Sequence, residues 1–133
     1  MRGIKVRWEN ELKTAFLTSP VRLRQILMNL LSNAVRAMPD GGMLTFRASR
    51  RDTFYQFCVE DNGEGMSQAD LERIFEPFYT TRPNGTGLGL WVCLQLVDLM
   101  GGTLEVETEQ GVRTAFRVTL PDRTPEQPAT ASR

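Results

Sequence analysis

The sequence predicts an α/β (α+β) two-layer sandwich: one mixed, largely antiparallel sheet with three helices on one face. Three observations carry that expectation. Short alternating segments come in adjacent pairs around turn residues, as at 43–50 with 53–60 and 103–108 with 113–120, the signature of hairpins. Segments 20–38 and 87–100 repeat their apolar residues with helical spacing. The two kinds are interspersed along a chain of 133 residues, so one sheet and its helices must share a single core.

Each element has local reasons. Residues 4–9 (IKVRWE) alternate and predict a first strand, and 12–18 a second, short one. Ser19-Pro20 is a helix start, with Ser as N-cap and Pro in the first turn. That helix stops at Pro39-Asp40-Gly41-Gly42. Strands 43–50 and 53–60 are joined by a tight turn at Arg51-Asp52. Ser67 caps a short helix over 67–75, and 76–86 is a loop rich in Pro, Gly and Thr. The second long helix, 87–100, is closed by Gly101-Gly102, and the last hairpin turns at Gln110-Gly111. The segment 121–133 is nearly devoid of apolar residues and is expected to be a disordered tail after a domain of 1–120.

Composition excludes several functions. With 16 basic and 16 acidic residues the net charge is zero, which argues against a nucleic-acid binder. No apolar run reaches membrane-spanning length, so no direct membrane contact is expected. Cys58 and Cys93 sit in apolar surroundings and read as buried free thiols of a reducing, cytoplasmic compartment, with a disulfide as the second reading. There is no histidine, so a His base, His ligand or phosphohistidine must come from another polypeptide.

Two stretches carry chemistry, each beside a bland alternative. On helix 20–38, Arg22, Gln25, Asn29, Asn33 and Arg36 are spaced 3, 4, 4, 3 and share a band beside the apolar stripe. Asn is a mediocre helix former, and an amide oxygen suits Mg²⁺; a solvated face is the alternative. Asp61-Asn62-Gly63-Glu64-Gly65-Met66 places a carboxylate at a strand end beside glycines; an ordinary turn is its alternative.

The glycine string Asn84-Gly85-Thr86-Gly87-Leu88-Gly89-Leu90 opens a helix. It fits backbone approach to an anion or a tight turn. It lacks a P-loop Lys and the dinucleotide spacing.

Taken in order, these stretches resemble one family. The helix with Asn29 and Asn33, then DNGEGM, FEPFYTT and GTGLGL are similar to the N, G1, F and G2 boxes of the ATP-binding catalytic domain of bacterial sensor histidine kinases. That family is related to gyrase B, the Hsp90 chaperones and MutL. The likeness covers about 4–120 and implies the Bergerat-type ATP-binding fold. The short lid also resembles nitrogen-regulation sensor kinases.

The resemblance implies roles. Asp61 would bond the adenine amino group, with Gly63, Gly65 and Met66 in the loop reaching the base. Asn33, assisted by Asn29, would hold Mg²⁺ on the phosphates of ATP, and Arg36 would contact phosphate. Gly85, Thr86, Gly87, Leu88, Gly89 and Leu90 would face the phosphates. Phe75 and Phe78 would anchor a lid carrying Arg82. In hydrolytic relatives the residue at Asn29 is a Glu base; Asn cannot take a proton, which favours transfer to histidine over hydrolysis.

The phosphoacceptor would be a histidine on a dimerisation domain outside this chain, with a response regulator downstream. The chain thus reads as an excised domain, with a natural stand-alone module as the second reading. A pseudokinase-like nucleotide-binding module is the alternative. Ser19 and Trp91 depart from the usual family residues; the bulky Trp91 ring either packs in the core or narrows the site.

Overall fold

The structure is a computed structural model that describes residues 3–13, 18–80 and 86–123. Strand β1 (Ile4–Asn10) leads to helix α1 (Pro20–Arg36), then strands β2 (Gly42–Arg51) and β3 (Phe54–Asp61). The short α2 (Gln68–Leu71), helix α3 (Gly89–Leu99) and strands β4 (Thr103–Glu109) and β5 (Arg113–Pro121) follow. The sheet order is β1-β2-β3-β5-β4, with β1 parallel to β2 and every other pair antiparallel. A parallel pair needs a crossover, and α1 supplies it.

Strand alternation sorts the two faces. Leu44 and Ala48 of β2, Tyr55, Phe57 and Val59 of β3, and Phe116, Val118 and Leu120 of β5 are buried on one face. Ile26, Leu30 and Ala34 from α1, with Cys93 and Val97 from α3, join them in one core. The opposite face carries charge instead. Arg47 binds Glu9 at 2.8 Å and Glu60 at 2.9 Å, and Arg117 lies 3.6 Å from Glu105 and from Glu107. An antiparallel sheet tolerates this division, with one face dry and one in water.

The caps behave as expected. Ser19 Oγ accepts from the Arg22 amide at 3.3 Å, with Pro20 opening α1. Helix α3 ends with Gly101 and Gly102 donating to Asp98 O and Val97 O, both at 3.0 Å, the paired closure of a Schellman motif.

Four expectations need correction. Residues 11–13 and 18 are not strand, because Asn10 Oδ1 accepts from the Leu12 amide at 3.0 Å and turns the chain out of β1. Residues 14–17 lie outside the described residues. The helix expected over 67–75 stops at Leu71, and Arg73 and Glu76 then donate to Asp70 O and Arg73 O in three-residue turns. Helix α3 starts two residues late, at Gly89.

Residues 121–123, expected to be disordered, are placed in the fold. Pro121 closes β5, the Asp122 amide donates to Thr53 O, and Arg123 donates to Met100 O at 2.7 Å. The rest of the tail, 124–133, is outside the described residues. Among the described residues no helix is long and apolar enough to cross a membrane.

Both cysteines are free thiols. Cys93 is fully buried, and burial pushes its thiol up to about 11. Cys58 is only half-buried, on the charged face of the sheet.

Candidate functional site

A cavity of about 270 Å³ opens between α1, the loop after β3, the start of α3 and the β4–β5 hairpin. Asn29, Asn33 and Arg36 line one side of it from α1. They are one helical face, as the spacing predicts. Arg22, from the same polar band, lines instead a second, smaller cavity with Met100 and Arg123.

The two amides differ. Asn29 Nδ2 donates to Gly89 O at 3.2 Å, while its Oδ1 accepts from Gln25 Nε2 at 3.1 Å. The reverse amide orientation would set two oxygens face to face, so this one is chemically required. Asn29 therefore ties α1 to the first residue of α3. Asn33 has no side-chain hydrogen bond among the described residues, and its amide oxygen is available to a cation.

Asp61 sits at the end of the central strand β3 and is 2% exposed. Its Oδ1 accepts from the Gly63 amide at 2.9 Å, and the carboxylate lines the cavity. The following loop is gripped from two sides. On one, the Glu64 amide donates to Ala37 O at 3.2 Å; on the other, Gly111 donates to Glu64 O at 2.6 Å. Gly65 and Met66 reach the cavity. Gly63 does not: it packs on the Ala37 carbonyl, where a Cβ would stand 2.2 Å from the oxygen.

Of the glycine string, Thr86, Gly87, Gly89 and Leu90 line the cavity, and Leu88 does not. Gly87 has φ +74, and a Cβ there would lie 2.3 Å from the Phe78 carbonyl carbon. Only glycine fits that approach. Leu88 is the N-cap of α3 and supplies no side-chain cap, so among the described residues no side-chain cap takes the first amides of the helix. Gly85 and Arg82 lie outside the described residues.

The aromatic assignments divide. Phe75 packs edge-on against Phe116, centroids 6.5 Å apart, under the site rather than in it. Phe78 is 75% exposed, holds φ +70, and touches the site only through its backbone, its amide donating to Gly87 O at 2.8 Å. Trp91 is 36% exposed and does not line the cavity, so this departure from the family pattern leaves the site open.

Residues that sequence reasoning missed complete the walls: Glu64, Ser67, Asp70, Tyr79, Gln110 and Thr114 among them. Tyr79 donates its hydroxyl to the Asp70 carboxylate, which raises the phenol. The Arg73 guanidinium lies 4.5 Å from the Tyr79 ring centroid. Tyr79 and Asp70 thereby join in one wall of the cavity.

Residues 18–124 match the family described as histidine kinase-, DNA gyrase B-, and HSP90-like ATPase. The chain belongs to this family. Sporulation kinase C of Bacillus subtilis is 39% identical over 100 residues, covering 75% of this chain and 23% of that protein. The sensor histidine kinase ZraS of Escherichia coli is 36% identical over 121 residues, covering 90% of this chain and 26% of that one.

Solved structures agree with this kinship. Full-length ShkA in complex with AMPPNP superposes with a TM-score of 0.82 at 35% identity, over 94% of this chain and 27% of that one. The catalytic domain of the histidine kinase ThkA gives 0.80 at 28% identity, over 90% and 79%. The five-stranded sheet with its helices is thus the histidine kinase ATPase fold, and the chain is homologous to the ATP-binding domains of sensor histidine kinases. The chain spans roughly a quarter or less of the curated relatives it matches, from 14% to 26%.

Proposed function

We propose that the chain binds Mg·ATP in this cavity and transfers the γ-phosphoryl group to a histidine on a separate dimerisation domain, feeding a response regulator in two-component signalling. One observation carries the reading: the cavity has an acceptor end and an anion end. The buried Asp61 carboxylate stands at the first. Asn33, Arg36 and the uncapped start of α3 stand at the second.

Each residue has a task. Asp61 accepts a proton-bearing exocyclic amine. The first amides of α3 and the Arg36 guanidinium take phosphate oxygens. The Asn33 oxygen would hold a magnesium ion, which commonly uses few protein ligands beside substrate phosphates. Among the described residues no cluster of carboxylates, cysteines or histidines competes for a metal. The ion, when bound, neutralises charge between the phosphates. Asn29 holds α3 at fixed distance from α1 and offers no base. The incoming imidazole needs none, because its neutral nitrogen is already nucleophilic, so catalysis is positioning and charge neutralisation.

Calorimetric titration with AMPPNP, with and without Mg²⁺, tests binding. Saturable one-to-one binding that tightens with Mg²⁺ is expected. Transfer of label from ATP to a separately supplied histidine-bearing dimerisation domain tests the chemistry. Binding without transfer would leave a regulatory nucleotide module; steady phosphate release by the chain alone would make it an ATPase.

A further inference from the structure

The β4–β5 hairpin carries two threonines outside the N, G1, F and G2 stretches. Thr108 and Thr114 are cross-strand partners, with Oγ atoms 2.8 Å apart. Thr114 is 2% exposed, stands opposite Asp61 across the β3–β5 pair, and lines the cavity. Thr108 lies one strand further out and does not line it.

The direction of the hydrogen bond between them follows from counting protons. A threonine hydroxyl has one proton to give and two lone pairs. Thr108 Oγ lies 2.9 Å from the Met66 amide, which can only donate, and 3.0 Å from Arg113 O, which can only accept. All three contacts are made together only when its own proton goes to Arg113 O and one lone pair takes Met66 N–H. The remaining lone pair faces Thr114, so Thr114 must donate. The hydroxyl of Thr114 then presents lone pairs alone to the cavity, beside a carboxylate that is also an acceptor.

We infer that Thr108 is a positioning residue that sets the hydrogen-bonding sense of the base end, and thereby the selection of a 6-aminopurine over a 6-oxopurine nucleotide. Two adjacent acceptors welcome an amino group and repel a carbonyl oxygen. The same hydroxyl fixes Met66, so the loop after β3 and the sense of Thr114 are set by one atom outside the cavity. Gly65 explains why the loop can come so close: its φ is +66, and a Cβ would stand 2.2 Å from Glu109 O. This inference rests on the cavity being the ATP site.

The test is calorimetry of the whole chain with AMPPNP and with inosine triphosphate. The unsubstituted chain is expected to bind AMPPNP and to discriminate against the 6-oxo nucleotide. In Thr108→Val the Thr114 proton loses its acceptor and is free to turn into the cavity. The preference is expected to narrow about tenfold, the size of one hydrogen bond made or lost. Thr108→Ser keeps the hydroxyl and should keep the preference.

Failure of the unsubstituted chain to bind AMPPNP would overturn the nucleotide reading itself. With that binding present, an unchanged preference in folded Thr108→Val, or an equal loss for both nucleotides, would overturn the role of Thr108 alone. So would Thr108→Ser behaving like Val. If circular dichroism shows Thr108→Val unfolded, Thr114→Val replaces it; it leaves the Met66 and Arg113 bonds in place and is expected to narrow the preference similarly. An unchanged preference there would also overturn the inference.

Discussion

Replacing Asp61 by Asn changes one oxygen to an NH₂ group in a site that is 2% exposed. The Gly63 amide, 2.9 Å from Oδ1, can only donate, so it holds the remaining amide oxygen of Asn. The new NH₂ group is then turned toward the cavity, where an amino group of the base expects an acceptor. The loss is a hydrogen bond to a charged partner, about 1.5–3 kcal/mol. At about 1.4 kcal/mol per tenfold, AMPPNP affinity should fall about 10- to 100-fold. Inosine triphosphate, whose 6-oxo group accepts, should bind no worse or better. Calorimetry with both nucleotides, on protein shown to be folded by circular dichroism, reads the outcome. Unchanged AMPPNP affinity would remove Asp61 from the site. An equal loss for both nucleotides would make it a scaffold residue rather than a reader of the base.

Three further outcomes follow from the structure. Asn33→Ala removes the available amide oxygen and should abolish the tightening of AMPPNP binding by Mg²⁺, measured by repeating the titration in EDTA. Gly87→Ala forces a Cβ into the Phe78 backbone at φ +74; strain of about 1–3 kcal/mol should lower Tm by about 3 °C or more and weaken nucleotide binding. Cys93 makes stability fall in alkali: its thiol stays neutral to about 11 in the fold but ionises from about 9 when unfolded. The unfolded chain sheds its proton first, so about 2–3 kcal/mol should be lost between those pH values. In Cys93→Ala that portion should vanish from urea melts at pH 8 and 10.5.

The site was legible where its chemistry is local. Asn29, Asn33 and Arg36 share a helical face, and a helix preserves spacing, so they arrive together at the cavity. Asp61 and Gly87 announce themselves by being a carboxylate at a strand end and a glycine before a helix. Gly63 and Phe75 have packing tasks that their motifs do not announce. Gly63 is needed against Ala37 O, and Phe75 against Phe116. The strand expected over 12–18 failed on one side chain, Asn10, whose bond to Leu12 ends β1. Thr108 and Thr114 gave no signal at all. Threonine is an ordinary strand residue, and only the register of β3, β5 and β4 brings them beside Asp61 and Met66.

The two ends of the cavity are built differently, and that difference bears on how it binds. The base end is closed by backbone and hydroxyl bonds between regular elements: Ala37 O takes Glu64 N–H, Glu64 O takes Gly111 N–H, and Thr108 Oγ takes Met66 N–H. Those groups are ordered before any ligand arrives, so reading the base adds little ordering cost. The phosphate end keeps groups in reserve: an uncapped helix start, the Asn33 amide and an exposed Arg36. Asn29 links α1 to Gly89 O across it. Selectivity should therefore reside in the base end and respond to Asp61, Thr114 and Thr108. Metal dependence should reside in the phosphate end and respond to Asn33. Substitutions drawn from the two ends, being separated and sharing no hydrogen-bond partner, should combine nearly additively in AMPPNP affinity; strong coupling between Thr108→Val and Asn33→Ala would mean that the loop after β3 and α1 move as one.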